Sequence, residues 1–247
     1  MPRYRAIVEY DGTGYFGFQR QRDDQPTVQS RLEDVLTGLA GGEPVRVTGA
    51  GRTDSGVHAL GQVICFELTW RHREEDLLRA MNANLPDDIA IKALIECSET
   101  FHPRFDARRR AYEYHVYNAA VRSPIRRLRS WHVARSLDVE RMNEAAACLI
   151  GVHDFATFGQ PPQGENSVRE VFVAEWRREG EMLVFFIEAN AFLYRMVRSI
   201  VGSLKLVGEG SWTVADFEEA FRACDRARCG TVAPPHGLYL VSVCYED

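Results

Sequence analysis

Apolar residues in the first half of the chain follow strand and helix spacings in turn. Residues 3–10 alternate as a half-buried strand does and run into the turn sequence Asp11-Gly12. Thr27 is a good N-cap residue, and the apolar residues behind it recur on one helical face. These residues are Val28, Leu32, Val35, Leu36 and Leu39. The other elements predicted in this half are a helix at 74–83 and strands at 45–48, 62–68 and 89–95.

The second half mixes strands and helices in the same way. Two strand-like runs flank Glu179-Gly180 and predict a hairpin. Strands are predicted at 111–117, 168–176, 182–189 and 238–245, and helices at 137–149, 192–207 and 214–224. Because paired strands lie close in sequence, the pattern favours an α+β fold over a doubly wound parallel sheet. We expect two similar α/β halves, at 1–105 and 106–247, packed around a mostly antiparallel central sheet.

Composition narrows the class of protein. The chain has 247 residues, of which 45% are hydrophobic, and a net charge of −5. This is enough apolar material for a substantial core, and it excludes wholesale disorder. No apolar run approaches the roughly 20 residues that a membrane-spanning helix needs. The six cysteines are scattered, without the paired spacing of a metal site. We therefore expect a cytoplasmic protein with no membrane partner and no bound metal.

Positive charge and aromatic rings concentrate in residues 101–135. The arginines of this basic segment are opposed only by Asp106 and Glu113. They are Arg104, Arg108, Arg109, Arg110, Arg122, Arg126, Arg127, Arg129 and Arg135. Genomic base composition is the other explanation for an arginine excess, since Lys92 and Lys205 are the only lysines in the sequence. Interleaved arginines and aromatic rings are nevertheless typical of a nucleic-acid groove, where the local field matters more than the net charge.

The glycine-rich stretch at 49–61 carries the most informative chemistry. It holds Arg52 and Asp54 between glycines that permit tight turns and the close approach of another backbone. The G-K-[ST] ending of a phosphate-binding loop is absent. Local composition alone leaves two interpretations open: a polar turn with an internal Arg–Asp pair, or a reactive carboxylate.

This stretch, G-R-T-D-S-G-V-H-A, resembles the signature of the TruA family of tRNA pseudouridine synthases, G-R-T-D-x-G-V-H-A. Other segments resemble blocks of the same family, in the same order and over nearly the whole chain. They are residues 10–13 with 17–19, 105–114, 153–155, 192–202 and 234–239. The resemblance implies the pseudouridine synthase fold.

The resemblance also implies an isomerase that detaches uracil from ribose and rejoins it through carbon 5. The substrate would be uridine at positions 38 to 40, in the anticodon stem-loop of tRNA, and the enzyme would be a homodimer. Because the product is an isomer of the substrate, no cofactor is expected. Two alternatives remain: a catalytically inactive RNA-binding protein of the same fold, and a metal-dependent nuclease or glycosidase that uses Asp54. The second would need a further carboxylate cluster near this stretch, and none lies beside it in the sequence.

The resemblance assigns roles to single residues. Asp54 would be the essential carboxylate, which attacks the ribose or carbon 6 of uracil, or removes a sugar proton to give a glycal. Arg198 would form an ion pair with Asp54 and keep it charged. Tyr112 would stack on the extruded uracil and assist proton transfer. Together with the basic segment, this predicts the substrate-binding residues Arg52, Tyr112, Leu240, Arg108, Arg109 and Arg110.

The helical pattern at 192–207 supports the role of Arg198 independently. The apolar residues of this stretch form one arc, and Arg198 and Gly202 lie one turn apart on the other side. We expect the small residue at 202 to leave room for a loop or a nucleotide. His58 is expected to orient the glycine-rich stretch or to have a structural role.

Overall fold

The computed structural model describes residues 1–21, 25–161 and 164–245. The chain divides into two compact units. The first comprises Met1–Arg108 and the C-terminal segment that begins at Tyr239, and the second comprises Arg109–Leu238. In the described part of the chain, no helix is both long and apolar enough to cross a membrane.

Both units contain helices and strands. The strands are β1 (Arg3–Tyr10), β2 (Thr48–Gly49), β3 (His58–Glu67), β4 (Ile89–Cys97), β5 (Ala107–Tyr117), β6 (Trp131–His132), β7 (Gly151–Asp154), β8 (Val168–Glu179), β9 (Met182–Ala189) and β10 (Leu238–Tyr245). The helices are α1 (Val28–Leu39), α2 (Glu74–Asn84), α3 (Val139–Ala146), α4 (Met196–Gly208) and α5 (Val214–Arg222). Most strand pairs are antiparallel, and the predicted α+β class is confirmed.

The sheet of the first unit has the strand order β4-β1-β3-β10, and β2 pairs with the C-terminal part of β3. β1 is antiparallel to both of its neighbours, with Ala6 opposite Ile64 and Leu94. β10 runs parallel to β3, with Tyr239 opposite His58. The last strand therefore belongs to the first unit, whereas the predicted division placed it in 106–247. Pairing with β3 places β10 in the first unit, although β10 follows the second unit in the sequence.

The core of the first unit follows the predicted periodicity. Alternate residues of β1 are buried, and α1 buries Val28, Leu32 and Leu36 on one face. The side chain of Thr27 accepts from the backbone N–H of Ser30 and so forms a capping box at the start of α1. The helix therefore begins and packs as its sequence predicts.

Glu33 departs from this pattern because it is a buried carboxylate on α1, only 2% exposed. Its Oε2 accepts from Arg20 Nη1 at 2.7 Å, and its Oε1 accepts from the backbone N–H of Val47 at 3.1 Å. A buried charge is tolerated when it is paired and hydrogen-bonded in this way. Glu33 thereby ties α1 to the segment that leads into β2.

The sheet of the second unit has the order β5-β9-β8-β7, all antiparallel, with β6 pairing parallel to β5. The predicted hairpin is present, with Gly180 at φ +64° in its turn. α3 packs on β8 and against α4 and α5. The core includes a cluster of stacked and tilted rings, which are Phe155, Phe158, Phe217 and Phe221.

Some predicted boundaries are wrong for identifiable reasons. α4 begins at Met196 rather than at 192, because Arg195 has a left-handed backbone with φ +61°. β3 begins at His58 rather than at 62, because the end of the glycine-rich stretch already pairs with β1 and β10. Residues 45–47 are not in a strand, and β2 comprises only two residues. The strands β6 and β7 were not predicted, since two to four residues are too few to show a period.

Candidate active site

The motif loop, residues 50–57, connects β2 to β3 and carries Asp54. Thr53 on one side of Asp54 is buried, and Asp54 itself is half-buried. The backbone N–H of Val57 donates to the carbonyl oxygen of Asp54 at 3.1 Å and closes a turn around it. Arg52 is exposed. The loop therefore presents a carboxylate at the surface of the first unit from a firmly folded turn.

A second segment, residues 15–18, holds the motif loop on both sides of Asp54, and we call it the clasp segment. The backbone N–H of Phe18 donates to Thr53 O at 3.1 Å. The carbonyl oxygen of Tyr15 accepts from Ser55 Oγ at 3.1 Å and from the Gly56 N–H at 3.4 Å. Because the residues before and after Asp54 are both fixed, the main chain at Asp54 has little freedom to move.

Gly17 allows this close approach. Its φ is +90°, and a Cβ at this position would lie 2.7 Å from the carbonyl oxygen of Thr53. Both the backbone conformation and the lack of space therefore demand glycine. The sequence block at 17–19 is thus in direct contact with the motif loop.

The clasp segment is itself anchored through Tyr15. Its buried hydroxyl donates to Asp88 Oδ1 at 2.5 Å. Burial raises the pKa of Tyr15 well above its ordinary value, and the hydrogen bond to the Asp88 carboxylate raises it further. The phenol therefore remains a neutral donor at physiological pH and connects the clasp segment to the turn before β4.

Two buried contacts, one with β1 and one with β10, hold the motif loop and the residue that follows it. The hydroxyl oxygens of Tyr10 and Thr53 are 2.7 Å apart. Further along, His58 is 2% exposed and stacks on Tyr239 with a ring-centroid distance of 4.7 Å. The first contact lies within the motif loop, next to Asp54, and the second lies at the start of β3.

The Nδ1 atom of His58 is within hydrogen-bond distance of two groups. It lies 3.1 Å from the backbone nitrogen of Gly12 and 3.0 Å from Asp11 Oδ1. An unprotonated Nδ1 accepts from Gly12, whereas a protonated Nδ1 donates to Asp11. In either state His58 ties the motif to the turn after β1, which agrees with the expected structural role.

Leu240, a predicted substrate-binding residue, is almost fully buried at 1% exposed. It lies on β10 directly opposite Ala59. The structure therefore places Arg52 and Asp54, in the motif loop, and Leu240, on the strand beside β3, in one unit.

The second unit carries Tyr112 and Arg198. Tyr112 lies on β5 opposite Ile187, is half-buried, and meets the ring of Phe192 edge-on with a centroid distance of 4.9 Å. This contact fixes the plane of the phenol ring.

Arg198, on α4, is held by a reciprocal pair of hydrogen bonds with Ala233. Its Nε donates to Ala233 O at 2.7 Å, and the Ala233 N–H donates to Arg198 O at 3.0 Å. A Cβ at Gly202 would lie only 1.4 Å from Thr231 O. The loop at 231–233 therefore fills the space at position 202. The sequence had left open whether a loop or a nucleotide would occupy it.

His236 lies in the same part of the second unit. Burial lowers the pKa of His236, and the positive charge of Arg198 lowers it as well. A hydrogen bond with the backbone of Ser130 acts in the opposite direction and raises the pKa. The neutral imidazole is therefore the favoured form beside Arg198.

The arginines at 108–110 lie on β5, and two of them have partners within the second unit. Arg109 Nη1 is 3.0 Å from Glu188 Oε1, and its guanidinium lies 4.2 Å from the centre of the Phe172 ring. Arg110 Nη1 donates to Asn190 O at 2.8 Å. Arg108 is exposed. Binding of a phosphate by Arg109 or Arg110 would thus require sharing or exchange of an existing contact.

Sequence reasoning missed the residues that position the motif loop, namely Tyr10, Thr53, Tyr15 and Gly17. The signal that could have found them is the pair of glycine-containing blocks at 10–19 and 49–61. Among the described residues, no group of three His, Cys, Asp or Glu side chains is arranged to hold a metal ion. The roles assigned to Asp54, Tyr112 and Arg198 stay predictions.

Comparison with known proteins identifies the family. The model of the tRNA pseudouridine synthase family matches residues 6–106 and 145–246, which include the motif loop, Tyr10 and the helix that carries Arg198. The chain belongs to the tRNA pseudouridine synthase family. The resemblance seen in the sequence is confirmed, and with it the classification of the chain as an enzyme of this family.

Relatives of this family match the chain over nearly its full length. A tRNA pseudouridine synthase A from Afipia carboxidovorans is 46% identical, over 99% of this chain and 100% of its own. Proteins of the same name are 45% identical in Maricaulis maris, over 99% and 98%, and 42% identical in Pseudothermotoga lettingae, over 98% and 99%. A solved chain from a Cbf5-Nop10-Gar1 complex is similar at a TM-score of only 0.33 and 12% identity, covering 82% of this chain and 54% of its own, which is too distant to support an argument.

Proposed function

We propose that this protein isomerises uridine to pseudouridine in the anticodon stem-loop of tRNA, at positions 38 to 40. The observation that carries the proposal is the G-R-T-D motif of a tRNA pseudouridine synthase family member, with Asp54 fixed from both sides by the clasp segment. Relatives at 42–46% identity are named for the same activity on tRNA. The protein would act in the cytoplasm, as a homodimer.

The reaction breaks the bond between N1 of uracil and the ribose and forms a bond from carbon 5 to the same ribose carbon. Carbon 5 loses its proton, and N1 gains one, so that the atoms balance without a cofactor. Asp54 supplies a carboxylate that serves as nucleophile or base. Attack on the ribose, attack on uracil and glycal formation all require the same thing, an ionised oxygen held in a fixed position.

The other site residues have separate tasks in this proposal. Arg198 provides a positive charge that keeps Asp54 ionised, and Tyr112 stacks on the uracil and assists the transfer of the carbon 5 proton. Arg52, exposed beside Thr53, holds the nucleotide outside its helix, since a stacked base cannot be reached. Leu240 forms the apolar wall below the base.

The basic segment supports an RNA substrate. Arg108, Arg122 and Arg127 are exposed, while Arg109 and Arg110 keep internal partners. Neutralising several phosphates releases counterions, so tRNA affinity should fall steeply as the salt concentration rises. A flat salt response would contradict a phosphate-binding role of this segment.

The test of the reaction is release of tritium from uridine labelled at carbon 5 in tRNA, with a chelator present. We expect the wild-type protein to release the label without cutting the strand. Asp54→Asn should abolish release while changing tRNA affinity by less than about tenfold. Asp87→Asn, which alters an exposed carboxylate in the turn before β4, is the matched control and should behave as wild type.

The outcomes separate the alternatives. Tight tRNA binding without release by the wild type would indicate an inactive RNA-binding protein of the same fold. Strand cleavage or dependence on metal would indicate a nuclease. Release by Asp54→Asn at the wild-type rate would remove Asp54 from the mechanism. A further substrate carries the label only in another arm of tRNA. If its tritium is released, the assignment to the anticodon stem-loop is wrong, although the isomerisation stands.

A further inference from the structure

The loop at residues 101–106, which precedes β5, is held rigid by its own hydrogen bonds, and we call it the platform loop. His102 Nδ1 accepts from the backbone N–H groups of Arg104 at 3.2 Å and Phe105 at 3.3 Å. The backbone N–H of His102 donates to Asp106 Oδ2 at 2.8 Å, and the backbone N–H of Asp106 donates back to His102 O at 3.1 Å. The loop therefore has one defined conformation rather than a flexible one.

The base of the platform loop is fastened to the C-terminal strand of the same unit. Phe101 meets the ring of Tyr245 edge-on at 5.0 Å, and the Tyr245 hydroxyl donates to Pro103 O at 2.8 Å. The guanidinium of Arg5 lies 5.5 Å from the Phe101 ring and 5.6 Å from the Tyr245 ring. These contacts fasten both the start and the middle of the loop to β1 and β10.

The supported loop displays a large apolar ring to solvent. Phe105 is 72% exposed, although the His102 ring lies 4.2 Å from it and the Arg104 guanidinium lies 5.6 Å from its centre. A single exposed apolar side chain is common and by itself indicates nothing. Here, however, the ring is rigidly presented and has a cation and an imidazole next to it. This combination is the one that proteins use to stack on the bases of unpaired RNA.

We propose that Phe105 is a stacking platform for an unpaired nucleobase of the tRNA substrate, other than the uridine that reacts. The Arg104 guanidinium, next to the ring, provides the charge that the neighbouring phosphate requires. A flat ring accepts any base, so the platform contributes affinity and register rather than sequence specificity. The proposal rests on the proposed function in that it takes tRNA as the ligand.

The test measures tRNA affinity in an Asp54→Asn background, where no product forms. Phe105→Ala should raise Kd about tenfold, as expected for the loss of one base–aromatic stack. Phe105→Tyr and Phe105→Trp should restore wild-type affinity. Phe105→Leu keeps an apolar side chain but has no flat face, so it should bind as weakly as Phe105→Ala. Val152→Ala, which shortens a side chain that is 63% exposed on β7, is the control and should leave Kd unchanged.

Two further readouts separate stacking from other roles. With Asp54 intact, Phe105→Ala should raise KM for tRNA rather than lower kcat. In Phe105→Trp, the added tryptophan should lose fluorescence on tRNA addition beyond the change seen with the four native tryptophans. Wild-type affinity in Phe105→Leu would overturn the proposal, because any apolar side chain would then serve. A loss of kcat with unchanged KM would overturn it as well.

Self-association is the competing explanation for an exposed ring. If Phe105→Ala changes the sedimentation of the RNA-free protein and not its tRNA affinity, the ring contacts a second copy and the stacking proposal fails. Failure of the proposed function is separate, because it would appear as missing tritium release in the wild type. The affinity series can be measured whether or not isomerisation occurs.

Discussion

The hydroxyl groups of Tyr10 and Thr53 form a buried hydrogen bond of 2.7 Å immediately before Asp54 in the chain. We expect Tyr10→Phe to lower the free energy of unfolding by about 1–2 kcal/mol, because Thr53 is left without this partner in a buried position. Thr53→Val should cost a similar amount. The double variant should cost less than the sum, with a coupling of about 1 kcal/mol measured by urea denaturation. Strict additivity would mean that the two hydroxyls do not interact.

Gly17 and Gly14 provide a matched pair in the segment before α1. Gly17→Ala should lower stability by about 1–3 kcal/mol and slow tritium release, because φ is +90° and the new Cβ would press on Thr53 O. Gly14→Ala should change stability by less than about 0.5 kcal/mol, since nothing lies within 4 Å of its Cβ position. Equal effects of the two substitutions on unfolding and turnover would show that the clasp segment does not position the motif loop.

Two helical glycines should respond to alanine with opposite signs. Gly38, in α1, has open space at its Cβ position, so Gly38→Ala should stabilise the protein by up to about 1 kcal/mol through helix propensity. Gly202→Ala should destabilise it by about 1–3 kcal/mol or more, because the new methyl group overlaps Thr231 O. It should also lower kcat, since the displaced loop holds Arg198 through Ala233. Thermal unfolding and tritium release measure both effects, and a stable, active Gly202→Ala variant would contradict this packing.

Acidification should destabilise the protein partly through His236. The pKa of this residue is lowered by burial and by Arg198, so below about pH 6.5 the unfolded chain takes up a proton that the folded chain resists. Its contribution to stability is therefore complete above that pH and is lost as the pH falls through the folded-state pKa. His236→Gln should make the decline of Tm between pH 7 and pH 5 shallower.

The exposed His72 serves as a control for this measurement. His72→Gln measures how far the loss of an exposed imidazole changes the profile, and the effect of His236→Gln is judged against it. If His236→Gln leaves the pH profile of Tm parallel to that of the wild type, His236 does not contribute to the acid response.

Local features were readable from the sequence. The start and buried face of α1, and the hairpin of β8 and β9, follow from side-chain period, capping and turn chemistry within a few residues. The motif around Asp54 was recognisable by its resemblance to a family signature, because its residues are contiguous. Short strands and exact boundaries were less predictable, since pairing partners rather than local pattern determine where β3 begins.

Tertiary structure alone decided the contacts between segments far apart in the chain. The clasp segment meets the motif loop, Glu33 is buried with Arg20 and Val47, and β10 joins the first unit by pairing with β3. Nothing in the local pattern predicts these contacts, because they depend on which elements become neighbours when the core forms. The sequence by itself thus determined the type of elements and predicted Asp54 as the reactive residue, while the folded chain determined what holds that residue in place.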